Sequence, residues 1–333
     1  MKKIIALLAL SFSASFFSQA EEVKIYSYRQ AFLIEPILTA FTEETGIKTQ
    51  VVFAKKGLIE RLKREGKFSP ADIVLTSNLD ALLQLQNNDL TQPINSKVVA
   101  NNIPAQYRDE KGHWIALTKR TRNIYSAKRL GDLSAINYED LVDAKYKGKI
   151  CTRSGKHPYN LGLVASMIAH HGEAQTQKWL EGVKNNLARK PQGNDRAQVK
   201  AIMEGLCDVS FGNSYYYGKM LMDEAQKPWA DAVNINFPNQ KNRGTHVNVS
   251  GVVLTKHTKN KAEALQLIEF LTSEKAQNIY ASVNMEYPVK LNVKLSALVA
   301  SWGTFKEDDI AIDKISRYRS QALKLMDQVK FDL

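Results

Sequence analysis

Tyr215, Tyr216 and Tyr217 follow one another between Gly212-Asn213-Ser214 and Gly218, a polar frame poorly suited to three core side chains. Neighbouring residues on a strand point to opposite faces. At a strand-to-helix junction, by contrast, two of them can converge on one point and leave the third to pack. A further phenol, Tyr159, lies in a second polar stretch, Arg153-Ser154-Gly155-Lys156-His157-Pro158-Tyr159-Asn160. Phenol oxygen is a hard donor once deprotonated, and an ordinary pKa of about 10 means that only a strongly charged metal ionises it at neutral pH. Calcium and magnesium favour carboxylates and carbonyls, while zinc and copper favour His or Cys, so three phenolates suggest ferric iron. Two other readings use the same residues: tyrosines packed at an interface with their hydroxyls hydrogen-bonded, or an aromatic cage around a cationic solute. His157 is an alternative nitrogen ligand, and Gln30 and Ser154 are further candidates to line a cleft. His246 suits a hinge or a hydrogen bond between lobes, and His170 and His171 suit the end of a helix, where a cation complements the dipole.

The elements that must carry these groups follow from periodicity. Residues 23–27 alternate as a strand, residues 33–45 form an amphipathic helix stopped by Gly46, and residues 47–54 form a second strand. A charged helix over 57–65, a buried strand over 71–76 and a helix over 79–87 continue the alternation. A second region beginning near Arg122 repeats it, with a strand over 148–153, helices over 161–171 and 176–185, and a strand over 208–211. Residues 247–255 then read as a long apolar strand and 261–272 as a helix of the first region. Such an order predicts an α/β fold with a mostly parallel sheet and helices on both faces. About 310 residues exceed what one core usually fills, so two lobes are expected. The chain should cross between them near residues 120 and 245, giving one lobe of 21–120 plus about 246–290 and another of 121–245 plus about 291–333. Ligands of open parallel sheets bind beyond the carboxyl ends of strands, which is where Ser27-Tyr28-Arg29-Gln30, the Tyr159 stretch and the tyrosine run all fall.

Composition bounds the setting. Lys2 and Lys3 precede an apolar run over 4–10 and a small-residue tail ending Ser18-Gln19-Ala20, an export signal cleaved after Ala20. No later stretch approaches the roughly 20 apolar residues of a membrane span, so a soluble periplasmic protein is expected. Two cysteines in an exported chain, Cys151 and Cys207, read as one disulfide between neighbouring strands, with two free buried thiols as the alternative. The formal charge is +12, about +10 once Lys2 and Lys3 are removed, but the lysines are scattered. A solvated basic surface is therefore expected and no nucleic-acid partner. His-Glu-x-x-His is absent, and Gly212-Asn213-Ser214 lacks the Gly-x-Ser-x-Gly frame, so the common hydrolase chemistries have no motif and the chain reads as a non-enzyme. A receptor for a polyamine, thiamine or a phosphorylated compound is the alternative function, since one architecture serves many solutes.

Tyr26-Ser27-Tyr28-Arg29-Gln30, Ser69-Pro70-Ala71-Asp72, Arg153-Ser154-Gly155, Gly212-Asn213-Ser214-Tyr215-Tyr216 and Glu286-Tyr287-Pro288-Val289 resemble the bacterial ferric-iron-binding proteins of iron ABC transporters, over essentially the whole mature chain. The resemblance implies a two-lobed periplasmic binding protein of class II type with a cleft between the lobes. It implies a monomer that hands ferric iron to an inner-membrane permease, iron leaving by lobe opening or reduction. It makes Tyr215, Tyr216 and Tyr159 the iron ligands and leaves Tyr217 to pack. Other branches of the family carry His and Tyr after the arginine of the first motif; here Gln30 and Ala31 stand there. That departure removes two ligands and resembles the branch that fills the gap with a synergistic carbonate or bicarbonate. Arg29 and Arg120 match the positions where the family cradles its anion, with Arg122 as a substitute for Arg120. Arginine suits the task because its planar fork matches a planar oxyanion.

Overall fold

The structure is a computed structural model that describes residues 22–333, so the export signal expected over 1–20 lies outside the described residues. The first stretch runs β1 (Glu22–Ser27), α1 (Ala31–Thr45), β2 (Lys48–Phe53), α2 (Leu58–Glu65), β3 (Ile73–Thr76), α3 (Leu79–Asn87), β4 (Thr91–Gln92), α4 (Lys97–Asn102) and the long β5 (Ile115–Ala127). It is followed by β6 (Ile150–Cys151), α5 (Pro158–Asn185), α6 (Asp195–Met203), β7 (Val209–Asn213), α7 (Ser214–Leu221), α8 (Lys227–Asp231) and β8 (Val233–Asn236). The chain returns through β9 (Val247–Thr255), α9 (Lys261–Leu271), α10 (Glu274–Val283) and β10 (Tyr287–Pro288), then ends in α11 (Ala297–Ala300), α12 (Ile312–Ser316) and α13 (Arg319–Gln328). No helix among the described residues is long and apolar enough to cross a membrane.

The sheet is ordered β2-β1-β3-β9-β5-β7-β6, with β4 on β9 and with β8 and β10 on β5. The mixed α/β character agrees with the sequence, but the sheet is less parallel than the alternation suggests. Among the named strands of the described residues, only β1 with β2, β1 with β3 and β6 with β7 run parallel. The cause is the central pair β9 and β5, because each runs against every strand it meets. β5 pairs with β9 up to Thr121↔Val247 and with β7 from Arg122↔Asn213 onward, so one continuous strand serves both halves of the sheet.

Burial divides in the same way. One core gathers Ile25, Ile34, Phe41, Leu75, Leu117, Val252 and Leu267. Another gathers Ile124, Leu161, Val164, Trp179, Phe211, Leu325 and Phe331, which seats α13 against α5. In α1 the buried residues Ile34, Ile37, Leu38 and Phe41 follow helical spacing, each contributing about 1.5–3 kcal/mol. The two helices expected over 161–171 and 176–185 form one run broken at Gly172, whose φ of 78° and ψ of 168° end the first segment after His171. Cys151 and Cys207 are joined in a disulfide with Cα atoms 5.8 Å apart across 56 residues. In the chain-entropy picture it stabilises by about 4 kcal/mol, and it ties β6 to the entry of β7.

Candidate metal centre

β7 delivers the tyrosine run, and its last residues are held from every side. Arg122 donates to the Asn213 side-chain oxygen at 3.0 Å, and the Asn213 N–H donates to Asp195 at 3.0 Å. The Tyr125 hydroxyl donates to the Asn213 carbonyl at 2.7 Å, and the Thr121 N–H donates to the Ser214 hydroxyl at 3.3 Å. Gly212 lies flush on the Tyr125 ring: a Cβ there would fall 2.0 Å from a ring carbon. That close approach needs glycine, and it fixes where α7 starts. Tyr215 and Tyr216 occupy the first turn of α7 with ring centroids 4.1 Å apart. Tyr217 turns away, against Tyr125 and Trp302 at 6.1 and 5.7 Å.

Tyr159 comes to the same place from the first turn of α5. Burial pushes Tyr215 well above the usual phenol range, and the neighbouring Tyr159 and Tyr216 push it further, while Arg120 opposes. Burial, then Tyr159 and Asp195, push Tyr216 up to about 12. Tyr159 thus resists ionisation of both Tyr215 and Tyr216, whereas the Tyr215 hydrogen bond eases that of Tyr216. Three guanidiniums gather around the Tyr159 ring, those of Arg153, Arg120 and Arg122, at 5.4, 5.6 and 5.9 Å from its centroid. Tyr215 and Tyr216 therefore stand as neutral phenols, with Tyr159 beside them, against a cationic wall, and phenols held in this way lose protons only to a highly charged cation.

The family pattern of the bacterial extracellular solute-binding proteins matches residues 52–307. The chain belongs to that family. As a solute-binding protein it is 41% identical over 314 residues to iron uptake protein A1 of Synechocystis, covering 93% of this chain and 87% of that one. The apo ferric ion-binding protein A of Pasteurella haemolytica superposes with a TM-score of 0.91 at 55% identity, covering 94% of this chain and 99% of that one. A Trichodesmium protein solved with iron and citrate superposes with a TM-score of 0.88 at 38% identity, covering 93% and 99%. These relatives are two-lobed periplasmic binding proteins, and this solute-binding protein shares their fold.

The remaining expected residues divide by what they touch. β5 carries Arg120 and Arg122 on one face, two residues apart but on opposite sides of the point where β5 changes partner from β9 to β7. Arg122 donates through both Nη atoms, to Asp195 and Asn160 at 2.6 Å each and to Asn213, and keeps only Nε without a hydrogen-bond partner. Arg120 is 2% exposed, donates through Nη2 to the Ser77 carbonyl, and keeps Nε and Nη1 without a hydrogen-bond partner. Of the two arginines, Arg120 thus keeps more of its donors, with two nitrogens unpartnered against one on Arg122. Arg29 sits beyond a turn closed by Ser27, whose hydroxyl donates to the Arg29 carbonyl at 2.8 Å and accepts from its N–H at 3.0 Å. Its end-on fork is not open, however: Nη1 and Nη2 donate to the two Glu286 oxygens at 3.2 and 2.7 Å, and Nε has no partner. The bidentate grip expected for an exogenous anion is filled by a protein carboxylate.

His157 caps α5, with Nδ1 accepting the Tyr159 N–H at 3.2 Å. Burial, then Arg153, push its imidazole down to about 3, so it stays neutral and positions Tyr159. The Ser154 hydroxyl donates to Asp332 at 2.6 Å and serves the C-terminus. Gln30 is exposed at the N-cap position of α1 without a side-chain capping bond. His246 lies immediately before β9, its carbonyl accepting the Arg122 N–H at 2.9 Å, and among the described residues both ring nitrogens lack partners. Of the two roles expected of it, a hinge or a hydrogen bond between lobes, its ring makes no hydrogen bond among the described residues. Asp195 and Glu286 were missed as site residues. Glu286 stands in the Glu286-Tyr287-Pro288-Val289 motif, the one signal that could have raised it, while Asp195 is a lone acid at the start of α6.

Proposed function

We propose that the protein binds ferric iron in the cleft through the Tyr159, Tyr215 and Tyr216 oxygens, with a carbonate or bicarbonate completing the site. Closure joins a lobe of residues 21–120 plus about 246–290 to one of 121–245 plus about 291–333. The observation that carries the reading is the convergence of three phenols, two of them with rings 4.1 Å apart, beside buried guanidiniums. Iron(III) with three phenolates is neutral, so a small anion is matched by the cradle cations. Arg120 presents the donors for it, and Arg29 supplies charge and its Nε. The likeness to iron uptake protein A1 and to ferric ion-binding protein A supports the same cargo. Guanidiniums about the Tyr159 ring argue against a polyamine or thiamine, because a cationic solute would meet like charge.

The protein acts by binding, not catalysis. It is exported, works as a monomer in the periplasm and delivers iron to an inner-membrane ABC importer. Binding displaces phenol protons, because Tyr215 and Tyr216 are held in the neutral form before iron arrives. Loading at pH 7 from a ferric chelate is therefore expected to release about three protons per iron from the protein, and a fourth if bicarbonate binds as carbonate. The apparent affinity should fall by about a thousandfold per pH unit on acidification. Proton counting with a visible spectrum tests this, and fewer than about two protons per iron, or a colourless complex, overturns phenolate ligation.

A further inference from the structure

Glu286 holds a position that the iron reading leaves without a task. It is buried among the anion-cradle cations, 3% exposed. Its two oxygens accept from the Arg29 fork at 3.2 and 2.7 Å, and Arg120 Nη1 stands 3.7 Å away. Burial pushes its carboxyl up, yet Arg29 and Arg120 hold it below the usual carboxylate range, so it is charged. The three side chains together carry one net positive charge.

We infer that Glu286 is the residue that selects the anion: it occupies Arg29 as a built-in carboxylate and leaves Arg120 for one small oxyanion. The inference rests on the ferric-iron reading above. A polycarboxylate or phosphate would need both arginine forks, and Glu286 denies it one. It also removes one unit of the positive charge on which a more highly charged anion depends, and in a buried site one charge is worth far more than in water. Arg120, buried with Nε and Nη1 free of hydrogen bonds although Nη1 lies 3.7 Å from Glu286, keeps donors that match a planar oxyanion. Glu286 is thus a specificity-determining residue that acts through Arg29 and Arg120 without supplying a ligand to iron.

The test compares wild type, Glu286→Gln and Glu286→Asp, each loaded with ferric iron in carbon-13 bicarbonate. Inorganic phosphate or citrate is then titrated in, and labelled carbonate retained per iron is followed together with the visible band. Glu286→Gln opens the Arg29 fork and adds one positive charge, so half-displacement should need about tenfold less phosphate or citrate than in wild type. Glu286→Asp keeps the charge and should stay near wild type. Unchanged displacement in Glu286→Gln, or an equal shift in Glu286→Asp, overturns the inference. Should Glu286→Gln fail to fold, wild type alone still decides: displacement of its labelled carbonate by equimolar citrate or phosphate is incompatible with the selection proposed. Failure of wild type to take up coloured iron with any of these anions is a different result, because it removes the iron reading itself.

Discussion

Tyr216→Phe should lower iron retention by more than about 100-fold, the upper end of what losing an outer-shell partner of a metal ligand costs, and should bleach or shift the visible band. The substitution removes one oxygen and keeps the ring that lies 4.1 Å from Tyr215. Two phenolates would then face a trivalent cation, leaving a positive charge for water or a second anion to satisfy. The metal-free protein should melt within about 1 kcal/mol of wild type, because at most one hydroxyl hydrogen bond is lost. Tyr217→Phe is the internal control, since its ring packs on Tyr125 and Trp302, and it should retain iron and colour. Equilibrium competition with a ferric chelator and the spectrum of the loaded protein read both variants. Native colour and affinity in Tyr216→Phe would remove it from the ligand set.

The tyrosine run was legible because it broke a rule: three adjacent large side chains in a polar frame do not suit a core, and only a strand-to-helix junction gives them a common target. Tyr159 was legible by its equivalent place beyond the neighbouring strand. The alternation of strands and helices also gave the α/β class, since apolar spacing such as Ile34, Ile37, Leu38 and Phe41 reports which face is buried. β5 was illegible for a physical reason. Its thirteen residues include Lys119, Arg120 and Arg122, and such charges normally mark a loop or an exposed face. Here Arg122 is tolerated in the interior because Asp195, Asn160 and Asn213 receive it, and those partners lie 38 to 91 residues away. Asp195 and Glu286 were hidden for the same reason. Each is one of 34 acidic residues, and nothing in local spacing tells which of them will meet a buried arginine. The state of the Arg29 fork was likewise unreadable, because its partner is 257 positions distant.

Asp195 is the residue whose loss should cost the most stability. It is fully buried, receives Arg122 at 2.6 Å and Arg153 at 3.2 Å, and accepts the Asn213 N–H at the end of β7. Asp195→Asn keeps the shape and removes the charge, leaving two guanidiniums with no counter-ion beside the tyrosine cluster. Removing one partner of a buried pair costs about 3–5 kcal/mol, and the metal-free protein should lose about that much in denaturant unfolding at neutral pH. The pH dependence separates this from simple damage. Burial pushes the Asp195 carboxyl up, but Arg122 and Arg153 together hold it below its ordinary range. A carboxyl with a depressed folded-state pKa contributes its full stability above the unfolded value of about 4, and loses it as pH falls through the folded value. The gap between wild type and Asp195→Asn should therefore be constant from pH 6 to 8 and narrow below about 4. Iron retention should fall as well, since Arg122 and Asn213 would no longer be fixed against the first turn of α7. A gap under about 1 kcal/mol, or one unchanged in acid, would mean that the Arg122 and Arg153 charges are stabilised elsewhere and that Asp195 does not anchor the site.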